Sequence, residues 1–238
     1  MKKAVAFLAS LSVISMTASS ASAQSDGAAD ETAQDGIYIR AGAGIGFARN
    51  WSQDFTYNPD ATFLMAPATG QSIELDEGLV AAFAIGFDYA DGIRTELEYR
   101  YASSGIVSAT LDDPMLGPVP AVTVNDDIIG QFLMANFYFD FANKSALTPF
   151  IGGGVGGALV ENENAQRDAA LAYQARAGIS LAMGDNWSAD LEYGYLRTNK
   201  LVFGIDDDEF EPGGPVGPSI NGERYRSSSV MMSLRKQF

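Results

Sequence analysis

The residues that could do chemistry in this chain fall into three groups. The first alternates along Ile93-Arg-Thr-Glu-Leu-Glu-Tyr-Arg-Tyr101, where Arg94, Glu96, Glu98 and Arg100 take every second position. Arg40, Arg176, Glu192 and Arg235 sit in similar alternating surroundings. Two carboxylates as close as Glu96 and Glu98 could divide acid and base work between them. Their arginine neighbours give a simpler reading, in which opposite charges neutralise one another in a confined space. The second group is Gly152 to Gly157, which satisfies G-x-G-x-x-G. A nucleotide site needs a strand before that motif and a helix after it, and here the motif lies within a strand-like run followed by a polar loop. The third is Asp206-Asp207-Asp208-Glu209 with Glu211, oxygen donors of the kind a divalent cation takes. It lacks the spacing and the turn glycine of a calcium loop, and charge runs are ordinarily solvated.

The chain has no His and no Cys. It therefore lacks the commonest general base, the usual zinc ligands and any thiol or disulfide chemistry. No catalytic residue, cofactor or metal centre is expected, and the protein is expected not to be an enzyme. With 30 acidic and 15 basic residues, a net charge of −15 argues against a nucleic-acid surface.

The elements that must hold these charges are strands. In Ile93–Tyr101 the odd positions Ile93, Thr95, Leu97, Tyr99 and Tyr101 lie opposite the four charges, the period-2 pattern of a strand. We read the apolar face as meeting lipid and the charged face as filling the inside of a small barrel. Seven further segments alternate in the same way: about 37–47, 79–89, 129–141, 147–158, 171–183, 187–197 and the strand ending at Phe238. Between them, long segments (48–77, 102–127, 161–168, 198–223) alternate with tight turns such as Ala90-Asp91-Gly92 and Gly184-Asp185-Asn186. Eight strands of about ten residues, joined alternately by short turns and long loops, match an up-and-down antiparallel transmembrane barrel. Gly42, Gly44, Gly46, Gly152, Gly154 and Gly156 face inward, where small residues leave room for long side chains from the opposite wall.

Phe87, Tyr89, Phe139, Phe141, Trp187 and Phe238 share the lipid parity near the short turns. Phe47, Tyr99, Tyr101, Tyr173 and Tyr195 share it near the long loops. Two aromatic girdles are what a bilayer with two interfaces selects. Ahead of the barrel, Met1-Lys2-Lys3, an apolar run to about Thr17 and Ala21-Ser22-Ala23 have the form of a secretory signal peptide over residues 1–23. Residues 24–35 read as a flexible acidic tail, and 36–238 as the barrel domain.

In these features the chain resembles the small eight-stranded outer-membrane barrels of the OmpA/OmpX/Opa-like kind, the "outer membrane protein β-barrel domain" family. The matching pieces are residues 94–101, Met134–Phe141, Thr148–Gly156, Ala172–Ala175 and the terminal Phe238. The resemblance implies short periplasmic turns, four extracellular loops and residence in the Gram-negative outer membrane. It also implies contact with membrane lipid and lipopolysaccharide, a monomeric state, and recognition of Phe238 by the barrel-assembly machinery. The expected role is a structural and surface-interaction scaffold whose loops touch a host or another cell, with an Arg/Glu network plugging the lumen. The alternatives are a narrow porin-like diffusion channel and a soluble barrel with inverted faces that carries an apolar ligand.

Overall fold

The computed structural model describes residues 35–57, 67–89, 91–120, 127–143, 145–161, 167–184, 186–203 and 219–238. In chain order they form β1 (Gly36–Ala48), β2 (Trp51–Thr56), β3 (Gly70–Leu75), β4 (Glu77–Tyr89), β5 (Ile93–Asp113), β6 (Gly117–Pro120), β7 (Asp127–Asp140), β8 (Leu147–Glu161), β9 (Arg167–Gly184), β10 (Trp187–Phe203) and β11 (Ser219–Gln237). Residues 1–34, and with them the signal segment and most of the tail, lie outside the described residues.

Eight strands close a ring. β1 pairs with β4, β4 with β5, β5 with β7, then β7 through β11 pair in sequence, and β11 returns to β1, every pair antiparallel. The partners of Tyr38 run through Gly86, Glu96, Asn136, Gly154, Gln174, Leu196 and Ser227 and return to β1 at Ala48, ten residues (38 to 48) above the start. That stagger tilts the strands and sets the width of an eight-stranded barrel, whose interior side chains can fill. The ring leaves no open edge among its wall strands, so their backbone donors and acceptors are paired within it.

Outward positions carry the large apolar side chains. Ile37, Ile85, Leu97, Phe137, Ile151, Ile179, Leu191 and Leu234 are all exposed. The eleven residues from Leu79 to Tyr89, ten steps of strand, cover about 25 Å along the axis at a tilt of about 40°, the height of a bilayer's apolar band.

The barrel is longer than the alternation implied. The segments read as loops, 48–77 and 102–127, contain β2, β3, β6 and the upper part of β5, and β10 and β11 reach into the segment read as loop 198–223. β2 continues the wall above β1 against β11, and β3 continues it above β4 against β5. These extensions escaped the reading because their sidedness is reversed. On β2, Trp51 and Gln53 are buried while Ser52 and Asp54 are exposed; on β3, Ile73 is buried while Ser72 and Glu74 are exposed. A register irregularity falls between Glu74 and Leu75, opposite Ser108 and Ile106. The extra residue, Val107, shifts parity in β5, so that Ala109 packs inward while the Ser108 hydroxyl donates to the exposed Glu74 carboxylate at 2.8 Å.

The inward glycines serve the neighbouring strand rather than the opposite wall. A Cβ on Gly152 would lie 2.3 Å from the Tyr138 ring, and one on Gly154 2.0 Å from Asn136 Oδ1. Tyr138 and Asn136 are the register partners of those two glycines on β7. Gly86 stands likewise to Tyr38, 2.2 Å from its ring, and the two are partners across β4 and β1. Large side chains lie flat over the glycine beside them, because the wall leaves no other volume for a ring.

Gly152→Ala is therefore expected to displace the Tyr138 ring and lower barrel stability by about 1–3 kcal/mol, as overpacking does. Gly157→Ala, where an added Cβ meets nothing within 4 Å, is expected to be neutral. Urea unfolding of the refolded barrel, followed by tryptophan fluorescence, measures both.

Candidate functional site

The inward face of the barrel is the candidate site, and it has two layers. The layer nearer the short turns is polar and centred on a closed ring of four charges. Arg40 Nη2 donates to Glu98 at 2.6 Å and Arg40 Nη1 to Glu192 at 3.4 Å. Arg176 Nη1 donates to Glu192 at 3.0 Å, and Arg176 Nη2 donates to Glu98 as well. Each carboxylate thus sits between the same two guanidiniums. Glu96 adds a fifth charge, accepting from Arg40 Nε at 2.9 Å and Nη2 at 2.7 Å, Tyr38 at 3.2 Å, Asn136 at 3.2 Å and Tyr138 at 3.3 Å.

Four strands supply this ring from residues up to 152 apart in sequence, and each does so through the parity rule that sends even-numbered residues inward. All five side chains are nearly inaccessible. Ions taken from water at that depth are stable only with their partners in place.

Below the ring two arginines close the short-turn end. Arg94 forms a two-point pair with Asp140 at 2.6 and 2.8 Å, its guanidinium 4.9 Å from the Tyr138 ring and 5.2 Å from Phe150. Arg235 reaches Asp88 at 3.3 Å and Asp190 at 3.8 Å and lies 5.4 Å from the Tyr38 ring. A planar, delocalised cation suits both stacking and carboxylate binding. Of the eight charges expected to form one network, Arg40, Glu96, Glu98, Arg176 and Glu192 are joined directly, while Arg94 and Arg235 pair separately.

Arg100 differs. It is buried above the ring and donates to Ser229 Oγ at 2.6 Å, and no carboxylate of the described residues lies within salt-bridge distance of it. The sequence reading left Asp88, Asp140, Asp190, Asn136 and Gln174 out of the network, although their inward parity was the signal that placed them there.

The layer nearer the long loops is apolar. Val80, Ala82, Ile128, Phe132, Met134, Leu196, Leu201, Tyr225 and Met231 are buried together with Trp51 and Ile73 from the extra hairpin. Phe132 and Tyr225 have ring centroids 5.7 Å apart. Sequence reasoning missed this layer by reading the inward face for its charges. Val80, Met134 and Met231 already stood on the inward parity, and that was the available clue.

The aromatic positions lie outward. Tyr89, Phe139, Phe141 and Trp187 are exposed near the short turns, with Phe87 partly covered and 4.8 Å from Tyr89 between ring centroids. Lys236 reaches over Trp187 at 5.2 Å. Tyr99 and Tyr195 are exposed and Tyr101 partly covered toward the other end, where Tyr99 donates to Gln131 at 3.0 Å. Phe238 is exposed, and its backbone N–H donates to Ile37 O at 2.9 Å, fastening the C-terminal residue to β1 across the seam.

Gly152–Gly157 lies wholly within β8 and is followed by β9 rather than a helix, so the nucleotide reading has no structural setting. The Asp206–Glu209 cluster lies outside the described residues. Among the described residues no group of three or more acidic side chains is placed to hold a metal ion.

Comparison with known proteins gives the same architecture. A family model described as "Surface antigen" matches residues 45–191. The outer membrane protein PagN of Salmonella typhimurium is 27% identical over 196 residues, covering 73% of this chain and 79% of PagN. An uncharacterized protein of Brucella abortus is 25% identical over 198 residues, covering 69% of this chain and 70% of its own length. The crystal structure of the outer membrane protein OprG from Pseudomonas aeruginosa superposes with a TM-score of 0.51 at 14% identity, covering 85% of this chain and 96% of OprG, a likeness of fold.

Removing a carboxylate from the ring leaves two buried guanidiniums short of a partner. Glu98→Ala is expected to cost about 3–5 kcal/mol of barrel stability. Glu161→Ala, which breaks the solvated pair of Glu161 and Arg167 at 2.7 Å, is expected to cost less than about 1 kcal/mol. Denaturant unfolding in detergent micelles compares them.

Proposed function

The chain belongs to the Surface antigen family, and on that premise we propose that this outer-membrane β-barrel protein is a closed scaffold that presents its extracellular end to other surfaces. It resides in the outer membrane of a Gram-negative cell, in a lipid and lipopolysaccharide environment. Its family is generally non-enzymatic, and the absence of His accords with that.

One observation carries the proposal. The lumen is filled twice, by the ion ring of Arg40, Glu98, Arg176 and Glu192 and by the apolar layer around Phe132, Met134 and Met231. A permeating ion would have to open a neutralised buried network and then cross a layer offering it no polar partner, and both steps are costly. Through-flow therefore accounts poorly for the inward side chains. The long-loop end, by contrast, is built out. Strands β2, β3 and β6 and the extensions of β5, β10 and β11 raise a collar whose strands are joined in sequence by residues 58–66, 121–126 and 204–218. Segments held on a rigid frame are where binding function concentrates. In this reading Phe238, fixed across the seam, is the residue that the barrel-assembly machinery recognises, and the barrel works as a monomer.

In planar bilayers the refolded protein is expected to show no resolved conductance steps, and Glu98→Ala is expected to introduce unstable, noisy openings. On whole cells, replacing residues 58–66 by a short Gly-Ser turn is expected to reduce attachment to cultured epithelial cells while the barrel keeps its heat-modifiable migration. Stable wild-type conductance with discrete steps would favour the diffusion channel. Unchanged attachment would remove that segment from the contact surface.

A further inference from the structure

Five of the chain's basic residues gather on one side of the barrel's outer surface, just beyond the lipid-facing belt. Arg197 on β10 lies directly opposite Arg226 on β11, and the backbone N–H of Arg49 donates to Arg226 O at 2.9 Å. One step further out, Lys200 lies opposite Arg224. Like charges facing each other across a strand pair are destabilising, yet here two such pairs stand one above the other. No carboxylate of the described residues lies within salt-bridge distance of any of the five. The Arg226 Nε is buried with no hydrogen-bond partner. By register, Asp54 on β2 lies opposite Asn221 of β11, and Glu77 on β4 opposite Phe47 of β1. The arrangement is costly to this fold, and among the described residues no salt bridge offsets it.

What lies beneath the patch points to the anion that compensates it. Directly below the Arg197–Arg226–Arg49 rung is the rung Tyr195–Ser228–Phe47, and below that Tyr193–Val230–Ile45. Tyr195, Phe47, Tyr193, Val230 and Ile45 are all exposed, on the wall that faces acyl chains. Two residues of strand are roughly 7 Å, so the guanidiniums stand at headgroup height above an apolar, aromatic floor. On the adjoining strands β8 and β9, at the same end, Arg167 is already paired with Glu161.

We propose that the face formed by Arg49, Arg197, Lys200, Arg224 and Arg226 binds the phosphorylated headgroup of an outer-leaflet glycolipid. The phosphates sit on the arginines and the acyl chains lie against β10, β11 and β1. Guanidinium forks match phosphate oxygens in two-point geometry. The inference rests on the outer-membrane placement and is independent of what the loops contact.

The test uses the mature full-length chain refolded in zwitterionic detergent micelles and titrated with bisphosphorylated lipid A or with the same lipid stripped of phosphate. Retained lipid is counted by native mass spectrometry. Wild type is expected to prefer the phosphorylated lipid by at least about tenfold. The triple variant Arg197→Gln, Arg224→Gln, Arg226→Gln is expected to lose that preference while keeping heat-modifiable migration, and Arg167→Gln is expected to keep it. Should the triple variant fail to fold, the double variant Lys200→Gln, Arg224→Gln at the outer rung is expected to lower the preference in the same direction. Equal retention of the two lipids by wild type would overturn the proposal, as would a preference that survives the substitutions. So would capture of a soluble sulfated glycan that the phosphorylated lipid cannot displace.

Discussion

A charge buried inside an eight-stranded wall must find its partner inside that wall, and the rest of this structure follows from that constraint. Arg40 and Arg176 come from β1 and β9, and Glu98 and Glu192 from β5 and β10. They can meet only if the strands close into a ring of this width and stagger. A one-residue slip of any of these strands would send its ion to the lipid face and leave its partners bare. The ring of charges thus acts on register as much as on stability, and it does so between strands far apart in sequence. The glycines belong to the same economy of space. Gly86, Gly152 and Gly154 let Tyr38, Tyr138 and Asn136 lie against the wall, so the hydroxyls and amide that complete the coordination of Glu96 fit within a lumen this narrow.

The second organising feature is a reversal of sidedness along the barrel axis. Through the membrane belt the wall is apolar outside and polar inside; beyond Tyr99, Tyr195 and Phe47 the order inverts, with Trp51 and Ile73 inside and Ser52, Ser72 and Glu74 outside. The upper barrel is built as a water-soluble barrel would be, with its own apolar filling. That filling sits directly over the ionic ring, so two unlike materials occupy the lumen in series, the basis on which we propose that it is closed. The five basic residues proposed as a lipid-binding face, Arg49 just beyond β1 and the others on β10 and β11, lie at the same boundary, above the exposed Tyr195 and Phe47.

Most of the wall was legible in the sequence because period-2 alternation is strongest where one face meets lipid, as in Ile93–Tyr101. The extensions were not legible, because β2 and β3 are only six residues each and carry the opposite polarity from the wall below them. The inward charges could be located by parity, but parity gives the direction of a side chain and not its partner. That Arg94 and Arg235 turn toward Asp140 and Asp88 while Arg40 and Arg176 share two glutamates depends on the stagger around the ring, a property of all eight strands together. The role of the glycines was misassigned for the same reason: the neighbour across a strand pair becomes visible only once register is known.

The central claim, that the lumen is sealed at both depths, is open to a direct chemical measurement because the chain has no cysteine of its own. Single cysteines would be placed at Ala84, beside the ionic ring and 1% exposed, at Ala102, in the apolar layer and 3% exposed, and at the exposed outward position Ser52. Each would be treated, in the folded barrel, with a water-soluble maleimide. The sealed lumen predicts rapid labelling of Ser52→Cys and labelling of Ala84→Cys and Ala102→Cys only after denaturation. Labelling of both inward sites in the folded barrel at the rate of the outward one would contradict it.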